Sequence, residues 1–173
     1  MKTKITTISL LLLFIVFSAC KKEEQVAAVE EVKVDLLNDE FPEAQEAILK
    51  TIDSIGEAIR ANDLDKLIAY HAYGPKFTEF KNGEPRNDGA ENERFERATF
   101  GAVTEIIKFD MNDLKVDVYG DVANVTLHSD FHLKFGEDLA VVNEQMSLLF
   151  LNTKDGWRIV HEHHSPLVMT ETE

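Results

Sequence analysis

A helical repeat of hydrophobic residues marks the first element of the folded part of the chain. Ile48, Ile52, Ile55 and Ile59 are spaced by four, three and four residues, and charged residues lie on the opposite side of the repeat. This spacing puts the four side chains on one face of a helix. It predicts an amphipathic helix from about residue 43 to residue 61.

A second, shorter helix is predicted from residue 64 to residue 70. Asp63 is suited to cap its N-terminus, and Leu64, Leu67 and Ile68 form its apolar face. The Gly-Pro pair that follows ends this helix.

A short strand, a turn and a third helix follow. Residues 76–80 alternate as in a strand, and the Asn-Gly pair at 82–83 is typical of a hairpin turn. Asp88 and Glu91 have the spacing of a capping box, which predicts a helix over residues 90–107. Its apolar face consists of Phe95, Thr99, Ala102, Val103 and Ile106.

The hydrophobic period changes to two in the last third of the chain. This pattern predicts four long strands, at residues 114–119, 123–133, 139–152 and 157–165. Short glycine-containing turns separate them, so neighbouring strands are expected to be antiparallel. Helices followed by such a meander predict an α+β fold, in which one face of a curved antiparallel sheet wraps on the long N-terminal helix and two further helices. The result is a cone with a mouth, and the outer sheet face remains available to another partner.

The N-terminus has the pattern of a secretory signal. Lys2 and Lys4 precede an apolar run over residues 5–17, and Ser18 and Ala19 are small. The stretch is too short and wrongly flanked for a stable membrane span.

The end of this signal resembles the lipobox of bacterial lipoproteins. Phe17-Ser18-Ala19-Cys20 departs from the motif at Phe17, where leucine is usual, and Cys20 is the only cysteine of the chain. The resemblance implies cleavage before Cys20, its lipidation, and membrane attachment by the lipid alone. The cluster Lys21-Lys22-Glu23-Glu24 is similar to export signals of Bacteroidetes lipoproteins. We therefore expect a cell-envelope protein on the outer membrane, either periplasmic or surface-exposed.

These patterns divide the chain into four parts. We expect a signal peptide at residues 1–19, an acidic flexible linker at 20–42, the folded domain at 43–168 and a disordered tail at 169–173.

Charge excludes one class of partner. The 173 residues include 18 Lys+Arg and 32 Asp+Glu, a formal net charge of −14. A polyanion would be repelled, so no nucleic-acid partner is expected. A single cysteine also allows no internal disulfide.

The last predicted strand carries a family resemblance. Residues 156–165, with Gly156-Trp157 followed by Val-His-x-His-x-Ser, are similar to the closing strand of the SnoaL-like and NTF2-like superfamily. The similarity is to the branch with the association domain of calcium/calmodulin-dependent protein kinase II. The segments at 57–64 and 120–123 resemble other family elements in the same order.

The resemblance implies a cone-shaped, cystatin-like α+β fold with a pocket between the sheet and the long helix. It also implies a homodimer through the outer sheet face and no tightly held cofactor, but no particular reaction. In the kinase association domain an arginine that lines a pocket for carboxylates precedes the closing serine. His164 takes that place here, so the anion binding that the resemblance suggests would be weaker and pH-dependent.

Strand alternation separates the polar residues of the last strand. His161 and His163 are predicted on one face, and Val160, Glu162 and His164 on the other. The pocket residues that we predict are His164, Glu162, Tyr70, Phe77, Glu79 and Ser129.

Three uses of these polar groups remain open. His161 and His163 could bind a metal together with His128 or His132, although we expect no metal and no cofactor. General acid–base catalysis would instead use His71, Tyr73 or His164, with Tyr70, Glu79 and Glu162 as further candidates. In the third interpretation His161 and His163 are structural and form hydrogen bonds at a dimer interface.

Two functions are consistent with the predicted cone and its polar residues. The first is a module that binds an unknown small molecule in the cone and/or forms a homodimer. The alternative is a small acid–base enzyme, an isomerase, cyclase or hydrolase. An ionisable residue deep in the cone beside empty apolar volume would distinguish a catalytic pocket from a passive one.

Overall fold

The computed structural model describes residues 33–168. The predictions for the signal peptide, Cys20, linker residues 20–32 and the tail at 169–173 lie outside this range. Within it, no helix has the length and apolar character needed to cross a membrane.

The described residues form the predicted α+β fold, with three helices and a curved five-stranded sheet that is mixed rather than wholly antiparallel. In chain order the elements are α1 (Pro42–Arg60), α2 (Leu64–Ala69), β1 (Thr78–Lys81), α3 (Gly89–Gly101), β2 (Glu105–Tyr119), β3 (Val122–Phe135), β4 (Asp138–Thr153) and β5 (Gly156–Pro166).

Both predicted helix caps are present. The Asp63 side chain accepts a hydrogen bond from the Lys66 backbone N–H at 3.0 Å and starts α2. Asp88 and Glu91 form the complete capping box of α3. These caps matter for function because α2 and α3 lead into or carry residues of the site described below.

The predicted boundary between α3 and β2 was wrong. The helix ends at Gly101 rather than at residue 107, and β2 begins at Glu105 rather than at residue 114. Glycine is a poor helix former, and the Thr104 backbone N–H donates to the Lys134 carbonyl of β3 at 2.8 Å. Two register shifts in β2, one with Asp113 at a φ of 50°, break the alternation that would have revealed the strand.

The sheet has the order β1-β5-β4-β3-β2, and all neighbours are antiparallel except β1 and β5. The parallel pairing aligns Glu79 of β1 with Glu162 of β5. After β1, Asn82 and Gly83 both have positive φ, as a hairpin-type turn requires. The parallel pairing of β1 was not predicted from the sequence, and it brings two acidic residues together.

A bulge in β5 determines which side chains face the helices. Phe150 of β4 pairs with Ile159, whereas Leu149 pairs with His161, so Val160 is an extra residue. Ile159 and Glu162 are therefore both buried on the concave face although three positions separate them. Without the bulge, simple alternation would put them on opposite faces.

Candidate functional site

A cavity of about 140 Å³ lies between the concave face of the sheet and the three helices. Most of its wall is apolar, and α1, β2, β3 and β4 supply the larger share of that part. Representative wall residues are Ile52, Ile55, Phe109, Met111, Leu127, Phe131, Val142 and Leu148.

One part of the cavity wall is polar. It consists of buried ionisable or amide side chains from the segment just after α2 and from β1, α3, β4 and β5. These polar wall residues are His71, Glu79, Asn92, Glu96, Glu144, Glu162 and His164. We call this set the polar end.

His71 is held as a double donor. Its Nδ1–H donates to the Leu67 carbonyl at 3.2 Å, and its Nε2 lies 2.8 Å from Glu162 Oε1 and 3.6 Å from Glu96 Oε1. Burial alone would lower the pKa of His71, but the charges of Glu162 and Glu96 and the bond to Glu162 raise it to about 9. Its ring stacks on Tyr73 at 4.9 Å between centroids. His71 is therefore a fixed imidazolium at neutral pH.

Glu162 lies between the two histidines of the polar end. Its Oε1 accepts from His71, and its Oε2 accepts from Asn92 Nδ2 at 3.3 Å and lies 3.5 Å from His164 Nε2. Burial acts to raise the pKa of Glu162, but His71 and His164 hold it well below its usual range. The group stays a carboxylate.

Glu96 differs from Glu162 in its protonation. Burial and the charges of Glu162 and Glu79 outweigh His71 and Tyr73 and raise the pKa of Glu96 to about 7. Its Oε2 accepts a hydrogen bond from the Tyr73 hydroxyl at 2.9 Å. Burial and the adjacent carboxylates also raise the pKa of Tyr73 far above its ordinary value, so Tyr73 stays a neutral donor. Glu96 can thus give or accept a proton near neutral pH.

His164 is anchored from one side only. Its Nδ1–H donates to Glu144 Oε2 at 3.1 Å, and Asn82 Nδ2 donates to the other oxygen of Glu144 at 2.9 Å. Burial lowers the pKa of His164, but Glu144 and Glu162 raise it overall to about 9. Glu79 completes this side of the polar end, and its Oε2 accepts from Asn87 Nδ2 at 2.8 Å.

The charge balance of the polar end disfavours anions. Four carboxylates face two histidines and Lys81, which also reaches the cavity wall. The anion binding that the family resemblance implied through His164 is opposed by this excess of acidic groups. A neutral molecule, or a cation, is better suited to this environment.

The structure places only some of the predicted pocket residues on the cavity wall. His164, Glu162 and Glu79 lie there, as does the catalytic candidate His71. Tyr73 supports the wall by its bond to Glu96. The other predicted pocket residues, Tyr70, Phe77 and Ser129, do not line the cavity. Phe77 is buried in the core, and the Ser129 hydroxyl bridges β3 and β4 by accepting from the Glu144 backbone N–H.

The histidines considered as metal ligands do not meet. His161 Nδ1 lies 2.9 Å from the Thr78 carbonyl and 2.8 Å from its hydroxyl, and His163 is exposed. His132 Nε2 lies 3.0 Å from Asp130. Among residues 33–168 these histidines, together with His128, form no group of three close ligand atoms.

Three members of the polar end were not predicted from the sequence. Asn92 and Glu96 lie one turn apart on α3, and Glu144 is a buried acid in the middle of β4. Asn92 and Glu96 lie on the same face of α3. From the sequence alone this polar face is expected to be exposed to solvent, because the residues that pack against it are distant in the chain. Glu144 could have been found from the sequence, because it takes an apolar-facing position in the alternating pattern of β4.

Comparison with solved structures shows the same fold. A candidate dehydratase of the NTF2-like family from Streptomyces avermitilis is 22% identical, with a TM-score of 0.65 over 75% of this chain and 100% of that one. A candidate aromatic ring hydroxylase from Novosphingobium aromaticivorans is 15% identical, with a TM-score of 0.65 over 76% and 94%. A candidate calcium/calmodulin-dependent protein kinase II association domain from Thiobacillus denitrificans is 22% identical, with a TM-score of 0.54 over 68% and 93%.

No curated protein is similar enough to match the chain. The model of the SnoaL-like domain matches residues 48–169, which is most of the chain and includes every residue of the polar end. Together with the curved sheet and the buried cavity, this match shows that the chain belongs to the SnoaL-like family, within the NTF2-like fold.

Proposed function

We propose that the protein binds one small, uncharged and largely apolar molecule in its cavity, with a single hydrogen-bonding group directed to the polar end. The observation that carries this proposal is the division of the cavity into an extended apolar wall and one buried cluster of ionisable groups. Ligand sites commonly combine an apolar lining with a few convergent polar groups.

Size narrows the class of molecule. The cavity measures about 140 Å³, and an engineered cavity of roughly 150 Å³ in another protein binds benzene. A single ring with a small substituent therefore fits. Because the polar end is rich in carboxylates, the substituent is a hydroxyl or a carbonyl rather than an acid.

Calorimetric titration with two size-matched probes tests this proposal. Benzyl alcohol should bind, and benzoate should bind at least tenfold more weakly because its charge meets buried carboxylates. Val142→Phe fills the cavity and should abolish the binding of benzyl alcohol. Val141→Phe, on the outer face of the same strand, is the matched control and should bind as the unaltered chain does. Equal affinity for both probes, or binding that survives Val142→Phe, would contradict the proposal.

Acid–base catalysis is the second candidate function. The specific observation in its favour is Glu96, whose pKa is raised to about 7 and which lines the cavity beside the Tyr73 hydroxyl. A carboxylate of this kind can remove a proton adjacent to a carbonyl group, and the hydrogen bond from the Tyr73 hydroxyl holds the Glu96 carboxyl group in position.

Two further proposals concern the whole chain. We propose that Cys20 is lipidated and anchors the protein to the outer membrane, and that two copies associate through the outer sheet face. Mass spectrometry of the mature protein should show an acylated Cys20 at the N-terminus. A chain with a free thiol at Cys20, or one that still begins at Met1, would contradict the anchor.

A further inference from the structure

Three side chains of the polar end have ligand atoms grouped around one point. Glu79, Glu162 and His164 each offer one ligand atom, and these three atoms all lie within 4.8 Å of one another. His164 Nε2 is 3.5 Å from Glu162 Oε2 and 3.9 Å from Glu79 Oε1, too far for good hydrogen bonds. Ligand atoms bound at about 2.0–2.2 Å to one tetrahedral ion would be separated by about 3.4 Å. The observed spacing is therefore close to that of a metal shell.

His164 Nε2 provides an independent observation. The residue is only 9% exposed, and Nε2 is buried without a hydrogen-bond partner among the described residues. Buried polar atoms are normally paired. This nitrogen is directed towards two carboxylate oxygens. The partner that would satisfy all three atoms is therefore a positive charge between them, either a proton or a metal ion.

The atoms on the far side of each group are already held in place. Glu144 accepts from His164 Nδ1–H, which fixes the imidazole with Nε2 directed inwards. Asn87 holds Glu79 Oε2, and His71 holds Glu162 Oε1. Metal-binding histidines and carboxylates are typically oriented by such outer hydrogen bonds.

We propose that Glu79, Glu162 and His164 bind one divalent transition-metal ion whose open coordination position faces the cavity. One imidazole and two carboxylates, with no thiolate, suit Zn²⁺, Mn²⁺ or Fe²⁺. All three residues line the cavity, so an oxygen of a bound molecule would complete the shell. The second acidic group, His71 with Glu96 and Glu162, is less suited because His71 Nε2 already bonds directly to Glu162 at 2.8 Å.

The competing explanation is a proton on His164. In that case the imidazolium is a structural counter-ion of the carboxylates, and the polar end binds no metal. Metal binding must displace that proton, so the two explanations differ in a direct titration.

The test is a calorimetric titration of Zn²⁺ into the full-length chain, purified without a histidine tag and stripped with a chelator. We expect saturable binding of one ion per chain, weakening by at least tenfold in Glu79→Gln and His164→Gln. His163→Gln, an exposed histidine on the opposite face of β5, and Cys20→Ser are the matched controls and should bind like the unaltered chain. Absence of saturable binding to the unaltered chain, or its loss in His163→Gln alone, would overturn the proposal.

A second variant and a spectroscopic measurement distinguish loss of the metal site from misfolding of a variant. Glu144→Gln keeps all three ligands and should weaken Zn²⁺ binding by about 10- to 100-fold. Co²⁺ should give visible absorption bands in the unaltered chain that are lost in His164→Gln while far-UV circular dichroism is unchanged. Unaltered Co²⁺ bands in a folded His164→Gln variant would refute the site. Benzyl alcohol binding can be measured in the presence of a chelator, so failure of the metal site leaves the proposed function separately testable.

Discussion

At the scale of single residues, two neighbouring glutamates of the polar end, Glu162 and Glu96, differ in their pKa values. Glu162 lies between His71 and His164, so it remains charged although it is buried. Glu96 receives one hydrogen bond from Tyr73, and its pKa rises to about 7. Environments that separate the pKa values of adjacent acids commonly mark an acid–base site.

Glu96 should exchange protons with a carbonyl compound held in the cavity. Cyclohexanone in D₂O is expected to exchange its α-hydrogens faster with the protein than in buffer, as measured by NMR. Glu96→Gln should slow the exchange by about 10²- to 10⁴-fold. Glu93→Gln, a half-exposed acid on the same helix that pairs with Arg97 and does not line the cavity, is the control.

The pH profile of this exchange follows from the same group. The base form of Glu96 dominates above its pKa of about 7, so the rate should rise with pH through that value and then level off. The charged or titratable groups that face Glu96 are His71, Tyr73, Glu162 and Glu79. A rate that falls as the pH rises through 7, or one that Glu96→Gln leaves unchanged, would refute this role.

Residue types and the family resemblance predicted part of this arrangement. Glu79, Glu162 and His71 were candidates because acid–base catalysis in a cone of this kind needs a carboxylate or a histidine, and His164 because it takes the place of the pocket arginine in the similar association domain. Glu96 was not found, because a glutamate on a polar-looking helix face is ordinarily solvated. Its burial depends on α3 packing beside Tyr73, which a local pattern does not contain.

At the scale of elements, a glycine contact sets how close α3 approaches the segment after α2. A Cβ added at Gly89 would lie 3.0 Å from the Gly74 backbone N and 3.2 Å from Tyr73 Cα. Backbone atoms cannot move aside as a flexible side chain can. The start of α3 therefore packs directly against the residue that donates to Glu96.

Gly89→Ala should destabilise the protein although alanine is the better helix former. The expected loss is about 1–3 kcal/mol of unfolding free energy, from overpacking, as measured by urea denaturation. Gly74→Ala is the matched control, since its added Cβ would meet only the Ala72 carbonyl at 4.0 Å. Equal unfolding free energies for Gly89→Ala and the unaltered chain would contradict this prediction, because they would show that the backbone moves at little cost to make room for the added Cβ.

Element types were easier to predict than element ends. The capped helices and the period-2 strands carry strong local signals, and they appear as expected. The long first half of β2 was missed because its bulges displace the alternation. The bulge at Val160 was missed for the same reason, yet it is what keeps Ile159 and Glu162 on one face.

At the scale of the whole molecule, the two faces of the sheet differ in what covers them. The concave face covers the helices and the cavity, whereas Leu139 and Val141 of β4 are more than half exposed, at 55% and 51%. Their register partners on β3 are Lys134 and His132, on the outer face of the sheet. This mixed apolar and polar surface supports the proposed association of two copies.

Sedimentation velocity should find a dimer that Val141→Asp dissociates, because a carboxylate would become buried between apolar side chains. Leu37→Asp is the control, since Leu37 is exposed in the turn before α1 and is not part of the sheet. A monomeric unaltered chain, or a Val141→Asp variant as dimeric as the unaltered chain, would contradict association through this face.

The most direct measurement of the central claim is a crystal structure of the protein with 4-bromobenzyl alcohol, located by the anomalous scattering of bromine. We expect a bromine peak within the cavity among Phe109, Leu127 and Val142, with the hydroxyl group directed to the polar end. A cavity filled by its own side chains, or bromine found only on the protein surface at saturating ligand, would contradict the claim that this fold holds a small molecule.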